Sequence, residues 1–455
     1  MIYKEGTAPM KNKYLNSISY ILYSLIIFAA SNFYVLKESV SFFGIFIFLY
    51  IVINFFPILV LPKTFRLKNC AMGNGLLIEF LGSTALSVVL FILSFTKLLS
   101  VDNIFENPKL WVVNTLIAIL FEATVFWNGM LRVFFSSEQL GVTIRVKALI
   151  CGMIPIVHLF VLGLIIKTVA NEVDFENQKI LTDLERKSQQ ICATKYPLLM
   201  VHGVFFRDFR YLNYWGRIPK ALEVNGARIF YGNQQSAASI EANGHEIAQQ
   251  ILKIVAETGC DKVNIIAHSK GGLDCRSALH IPGIAEHVAT LTTINTPHRG
   301  CEFADYLLTK IPQAEQDTVA KTYNAALKKL GDPNPDFLSA VGNLTAAFCK
   351  EFNEHFPDVP GVLYQSVGSK LNKAAGGRFP LNFTYHLAKY FAGANDGLVS
   401  ESSFHWGSSF QMLTVRGDRG ISHGDMIDLN RENIPEFDIR EFYVQLVANL
   451  KQRGF

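Results

Sequence analysis

Between Asp261 and Leu279 the chain changes its hydrophobic period across a single serine. Asp261-Lys262-Val263-Asn264-Ile265-Ile266 is short, apolar and rich in β-branched residues, which predicts a buried strand. Leu273–Leu279 contains no breaker and predicts a helix. Ser269 stands between the two, with Ala267 two residues before it and Gly271 two after. Small residues at those offsets let a strand turn sharply into a helix, which lifts the serine hydroxyl above the sheet edge. The helix that follows aims its amino-terminal N–H groups at the same place. Glycine is the usual residue at the first small position; here it is Ala267, the next smallest. A strand, a tight serine turn and a helix restrict this region to an α/β arrangement with the serine as candidate nucleophile.

The rest of the chain divides by hydropathy. Half of its 455 residues are hydrophobic, and the excess lies in five runs: Leu15–Val35, Val40–Leu61, Leu76–Leu98, Trp111–Phe135 and Ala148–Val169. Each approaches the ~20 residues that a helix needs to cross a bilayer. Residues 1–170 are therefore expected to form an all-α transmembrane domain of about five helices. Basic loops alternate with the others: Lys4, Lys11 and Lys13; then Lys63, Arg66 and Lys68; then Arg132, Arg145 and Lys147. The intervening loops hold Lys37 with Glu38, and Asp102 and Glu106 against Lys109. This pattern predicts a cytoplasmic amino terminus, a multi-pass protein of the cell membrane, and everything after residue 170 on the extracytoplasmic side. Glu79, Glu122 and His158 lie in or near the runs and stand either for helix–helix hydrogen bonds or for an intramembrane function. Two prolines, Pro57 and Pro155, also fall there. A net charge of +4 implies no nucleic-acid partner, and seven irregularly spaced cysteines form no metal-ligand pattern.

Residues 171–194 are polar and predict a helical linker; residues 195–455 carry the chemistry. Strands are expected at Pro197–Val201, Ala227–Tyr231, Val288–Ile294, Val362–Ser366 and Phe410–Val415, beside the strand of the serine turn. Helices are expected at Lys220–Val224, Ile240–Ala256 and Ile439–Leu450, with Tyr211–Ile218 as loop. Alternation of this kind argues a mostly parallel sheet covered on both faces. The first strand runs into His202-Gly203-Val204, where Gly203 lets the Val204 N–H turn toward the site. Val204 and Lys270, the residue after the serine, are the candidate oxyanion-hole donors. Val319, Tyr323, Ala326, Leu327 and Leu330 form one apolar stripe, opposed by Lys321, Lys328 and Lys329, on a helix that is either core or a lid.

A serine hydroxyl needs a base to take its proton and an acid to orient that base. Of His355, His386, His405 and His423, only His423 stands in the loop after the last strand. Asp396, in Asn395-Asp396-Gly397, is the candidate acid; an Asx turn with no chemical role is its alternative, and Asp358 and Asp418 are the other acids available.

Tyr196–Gly203, Thr258–Asn264, His268–Leu273, Thr296–Gly300 with Glu302–Asp305, Asn395–Ser400, and His423 with Asp425 together resemble the bacterial true lipases of the α/β-hydrolase superfamily. That group is typified by the Pseudomonas and Burkholderia triacylglycerol lipases, and the resemblance covers roughly residues 195–430 in order. It implies an α/β-hydrolase fold and a serine carboxylic ester hydrolase acting on lipid esters through an acyl-enzyme. Ser269, Asp396 and His423 would then be the triad, and Val204 and Lys270 the oxyanion hole. The chemistry requires no cofactor. The resemblance also implies a Ca2+ site with Asp425 as one ligand, but Leu371–Ala394 contains no aspartate to serve as the other. The family's secreted members have nothing like residues 1–170. An acyltransferase or a phospholipase would use the same triad, and a non-catalytic lipid- or partner-binding membrane protein is the reading from another class.

Overall fold

A computed structural model describes residues 7–36, 40–96, 103–152, 154, 156–204, 213–329 and 335–455. Lys4, Lys37, Glu38, Asp102, Pro155, Tyr211 and Leu330 lie outside the described residues. The chain forms two compact units, Met1–Leu184 and Glu185–Phe455.

The first unit is all helical: α1 (Thr7–Ser31), α2 (Phe33–Leu36), α3 (Val40–Phe55), α4 (Phe65–Leu93), α5 (Pro108–Ser136), α6 (Gly141–Cys151) and α7 (Val157–Glu185). Among the described residues two helices, α4 and α5, are long and apolar enough to cross a membrane. At 29 residues each they extend about 44 Å. The apolar stretches Leu15–Ser31 and Phe42–Phe55 are shorter. The expected fifth run is not one helix: α6 ends at Cys151 and α7 begins at Val157. Gly152 caps α6 there, and the glycine and the nearby Pro155 favour an interruption that hydropathy alone does not register. Polar side chains join the helices from inside. Asn114 Nδ2 donates to Asn32 Oδ1 at 3.0 Å, Asn32 Nδ2 to Ser87 Oγ at 2.8 Å, and Ser83 Oγ to Glu122 Oε2 at 2.8 Å. Glu122 therefore makes the helix–helix hydrogen bond expected of it. His158 Nδ1 lies 3.1 Å from the Ile154 carbonyl.

In the second unit the elements are β1 (Leu198–Val201), α8 (Ile218–Val224), β2 (Ile229–Tyr231), α9 (Ile240–Thr258), β3 (Val263–His268), α10 (Lys270–Leu279) and β4 (Val288–Ile294). There follow α11 (Glu302–Lys310), α12 (Gln313–Lys329), α13 (Phe337–Gly342), α14 (Ala346–His355), β5 (Leu363–Ser369), α15 (Leu381–Ala392), α16 (Glu401–Phe404), β6 (Ser409–Leu413) and α17 (Ile439–Gln452). The six strands pair in the order β2-β1-β3-β4-β5-β6, and every pairing is parallel. Alternate side chains of each strand serve opposite faces. Leu198, Met200 and Ile266 pack with α8 and α17, through Leu222, Tyr443 and Val447. Leu199, Val201 and Ile265 pack with α9 and α10, through Ile247, Ile251 and Ala278. Each fully buried aliphatic side chain contributes about 1.5–3 kcal/mol, so the central strands are the rigid floor on which the loops at their carboxyl ends sit. Ser239 caps α9 by accepting from the Ala242 N–H at 3.2 Å, and Gly259 at φ 67° ends it. All seven cysteines are free thiols.

Candidate active site

The serine turn comes out as a strained corner. Ser269 links β3 to α10 with φ 55° and ψ −133°, a region that side chains with a Cβ rarely occupy. Its N–H is anchored to the Ile294 carbonyl at 2.9 Å. The small residues are required by the neighbouring strand end. A Cβ on Gly271 would meet the His202 carbonyl oxygen at 2.3 Å, and one on Gly203 would meet Ser269 Cβ at 2.8 Å. The methyl of Ala267 is accommodated in the core under the sheet.

Lys270 opens α10, where the first N–H groups have no partner inside the helix. Its side chain is buried, with Nζ 2.5 Å from Asp274 Oδ1, while Asn243 Nδ2 donates to Asp274 Oδ2 at 3.0 Å. Burial pushes the Asp274 carboxyl up to about 6 and pulls the Lys270 ammonium down, each opposed by the charge of the other. The charge of the lysine is thus spent behind the turn, on Asp274.

The other candidate donor, Val204, follows a heavily tied segment. The His202 ring lies between the carbonyls of Gly203 at 2.8 Å and Gln234 at 3.0 Å, and Gln234 Nε2 donates to the His202 carbonyl at 2.8 Å. The Gly203 N–H donates to the Tyr214 hydroxyl at 3.0 Å, and that hydroxyl lies 2.7 Å from His268 Nδ1. Val204 itself packs against Ala237, Leu327 and Ala340. Leu327 of α12 thus belongs to the apolar cluster against which the candidate oxyanion loop packs, while Tyr323 of the same stripe stacks on Phe337 with ring centres 4.8 Å apart.

Asp396 and His423 meet across 27 residues of sequence. His423 Nδ1 lies 2.6 Å from Asp396 Oδ2, and the His423 N–H donates to the Asp396 carbonyl at 2.9 Å. Asp396 is fully buried. Its Oδ1 accepts from the N–H groups of Leu398 at 2.9 Å and Val399 at 2.8 Å, so the expected turn role is present as well. Asn295 Nδ2 adds a bond to Oδ2 at 2.6 Å. With four donors in reach, this carboxylate is held in one orientation. The histidine it orients sits beside the serine turn: the rings of His423 and His268 have centres 4.5 Å apart. Burial, and secondarily the charge of His423, keeps His268 well below the usual imidazole range, so it is neutral.

The other candidates are occupied elsewhere. Asp358 accepts from Trp406 Nε1 at 2.7 Å. Asp418 is exposed and pairs with Lys373 at 2.8 Å. His405 packs on Phe410, and His355 and His386 are exposed on α14 and α15. Asn295, Tyr214 and Gln234 were not among the residues singled out from the sequence. Asn295 had one usable signal, its place at the end of a central strand; the other two had none.

The donor set does not fit calcium. Both oxygens of Asp425 accept from Arg419, at 2.9 and 3.1 Å, and Oδ2 also accepts from the Ser422 N–H at 2.8 Å. A calcium ion needs six to eight oxygens facing it; here a guanidinium faces the carboxylate. Among the described residues no group of three or more His, Cys, Asp or Glu could hold a metal ion.

Residues 196–446 match the family model for the alpha/beta hydrolase fold. The chain belongs to that family. It is 30% identical over 300 residues to a triacylglycerol lipase of Vibrio cholerae, covering 60% of this chain and 93% of the relative. A triacylglycerol lipase of Pseudomonas fragi is 30% identical over 294 residues, covering 57% of this chain and 98% of the relative. Among solved structures, the mature form of a Bacillus licheniformis lipase aligns with TM-score 0.42 and 23% identity over 56% of this chain and 92% of that one. This α/β-hydrolase is a carboxylic ester hydrolase of the lipase and esterase kind. The relatives' matches cover no more than about three fifths of the chain, in keeping with the separate helical unit.

Proposed function

We propose that this α/β-hydrolase is a membrane-anchored serine lipase, with Ser269 as nucleophile, His423 as base and Asp396 as the acid that orients it. The observation that carries the reading is the buried 2.6 Å contact of His423 Nδ1 with Asp396 beside the strained Ser269 turn. In the forward step Ser269 Oγ attacks the ester carbonyl carbon and its proton passes to His423 Nε2. Asp396 orients the ring and stabilises the imidazolium through its bond to Nδ1. The backbone N–H groups of Val204 and Lys270 receive the oxyanion. His423 then protonates the leaving alkoxide, and an acyl group remains on Ser269. Water, activated by the same histidine, releases the acid and restores the serine. The names of the relatives support a triacylglycerol or similar lipid ester as substrate.

The anchoring part of the proposal rests on the outward apolar faces of α4 and α5; the extracytoplasmic side rests instead on the basic-loop pattern of the five apolar runs, an odd number of crossings from a cytoplasmic amino terminus. A tethered lipase works at high effective concentration on lipid in or beside its own bilayer. The deciding experiment is fluorophosphonate labelling with ester hydrolysis. Ser269→Ala should abolish labelling and lower kcat on the order of 10⁶-fold. Asp396→Asn should lower kcat about 10⁴-fold, because His423 is left in the wrong tautomer, while Asp358→Asn and Asp418→Asn leave it near the parent value. Labelling that persists in Ser269→Ala overturns the assignment.

A further inference from the structure

The loop that carries His423 has no rigid element of its own. It runs from the end of β6 at Leu413 to the short turn at Asp425–Ile427, and the base must be held there against Asp396. The resemblance drawn from the sequence assigns that task to calcium, through Asp425. The residues present assign it to a side chain. The Arg419 guanidinium makes two parallel bonds to Asp425, Nη1 to Oδ2 at 2.9 Å and Nη2 to Oδ1 at 3.1 Å. Nη2 also donates to Glu432 Oε2 at 2.9 Å, and Nη1 to the Gly420 carbonyl at 3.1 Å. Glu432 is held from its other oxygen by Arg378, whose Nε donates to Oε1 at 2.6 Å. Asp425 closes the circuit onto the base: its Oδ2 accepts from the Ser422 N–H at 2.8 Å, and its own N–H donates back to Ser422 Oγ at 3.2 Å, one residue before His423. At the other end the Arg419 carbonyl accepts from the Asn372 N–H at 3.4 Å, and the backbone of Gly376 lies so close to it that a Cβ there would meet the Arg419 carbonyl oxygen at 1.9 Å.

We infer that Arg419 is a positioning residue that does in this chain what a divalent cation would do, tying the loop before His423 to the turn after it. The physical case is one of charge and shape. Asp425 is almost fully buried and Glu432 about three-quarters so, and two carboxylates brought to one place need a cation between them. A planar guanidinium satisfies both with fixed geometry and, unlike a bound ion, does not dissociate. The inference rests on His423 being the base. The loop's precision then enters kcat, since a displacement of about 1 Å from reacting geometry costs about a hundredfold.

The test compares the full-length membrane protein with its variants on a short soluble ester, with and without EGTA. Wild type should keep its kcat and its melting temperature in the chelator. Arg419→Met should lose kcat by about a hundredfold while KM stays within about twofold. Arg419→Lys should recover part of the loss, because it keeps the charge without the fork. A wild-type enzyme that EGTA inactivates and calcium restores overturns the inference, as does an Arg419→Met enzyme with parental kcat. If Arg419→Met does not fold, Glu432→Gln, which loosens the guanidinium without emptying its place, takes over: a severalfold fall in kcat at constant KM is expected, and none overturns the inference. Ser269→Ala separates the two readings. An active Ser269→Ala defeats the triad itself, whereas an inactive Ser269→Ala beside a fully active Arg419→Met defeats only the tie.

Discussion

Both units of this chain bury aliphatic side chains, but they differ in what they leave outside. In the sheet unit the centre is Ile265, Ile266 and Leu291, all at 0% exposure. In the helical unit large apolar side chains stand outside: Phe48 is 65% exposed, Leu120 66%, Trp127 60% and Phe160 76%. Inside that unit lie Asn32, Asn114, Ser83 and Glu122, bonded to one another across helices, and the buried Glu79. Burial of apolar surface stabilises a fold only when the alternative is water. Helices that keep their apolar faces outward are held instead by polar bonds and close packing. The outward apolar faces support the anchoring proposed above.

The sharpest way to break this contrast is to place the same charge on a leucine of each unit. Leu291→Asp in β4 should leave no folded hydrolase, since an unpaired charge in a dry core costs more than several of the ~5–15 kcal/mol that hold a domain together. Leu120→Asp on the outer face of α5 should leave hydrolysis of a soluble ester intact and lower the amount of protein in the membrane pellet, since a central Asp costs about 2.5–3.5 kcal/mol on insertion. Both are read as ester activity in pellet and supernatant. Protease added to right-side-out vesicles reads orientation in the same samples: release of an active fragment means an odd number of crossings. Equal behaviour of the two variants would mean that the outer faces of the helical unit do not meet lipid.

A second test sharpens the contrast inside the sheet unit, at α12, the helix expected to be either core or lid. Leu327 of α12 is nearly buried against Val204. If α12 is a cover that turns toward lipid, Leu327→Asp should lower activity on emulsified triacylglycerol at least tenfold more than on a short soluble ester, because only the former needs the apolar face. Equal losses would assign Leu327 to ordinary core, and no loss on either would remove α12 from the site.

The smallest effect concerns titratable groups that the sheet unit buries. His268 and His298 both lie well below the usual imidazole range, held there first by burial, then by His423 in one case and by Arg276 and Arg299 in the other. Their folded values are depressed, so the stability they contribute is present above pH ~6.5 and is lost as pH falls, when the unfolded chain takes up protons that the folded one refuses. Urea unfolding of the sheet unit should lose about 2–3 kcal/mol per pH unit below pH ~6 from the two together. His298→Gln should halve that slope; an unchanged slope would mean that His298 is not held neutral.

Much of the site was legible because it is written in local chemistry. The serine turn needs small residues within two positions, strands and helices announce their period, and chain order singles out His423. Val288–Ile294 and the start of α9 at Ile240 coincide with the expected elements for that reason. What remained closed to the sequence depends on partners far apart in it. Asn295 reaches Asp396 across 101 residues and Tyr214 reaches His268 across 54, and no period or spacing relates them. The place of Leu327 in the cluster against which Val204 packs was likewise decided by packing. Asp425 makes the distinction plainest. The family resemblance implies it as a calcium ligand, but whether its partner is an ion or a side chain depends on where the Arg419 guanidinium lies, and only the folded loop brings that charge to it.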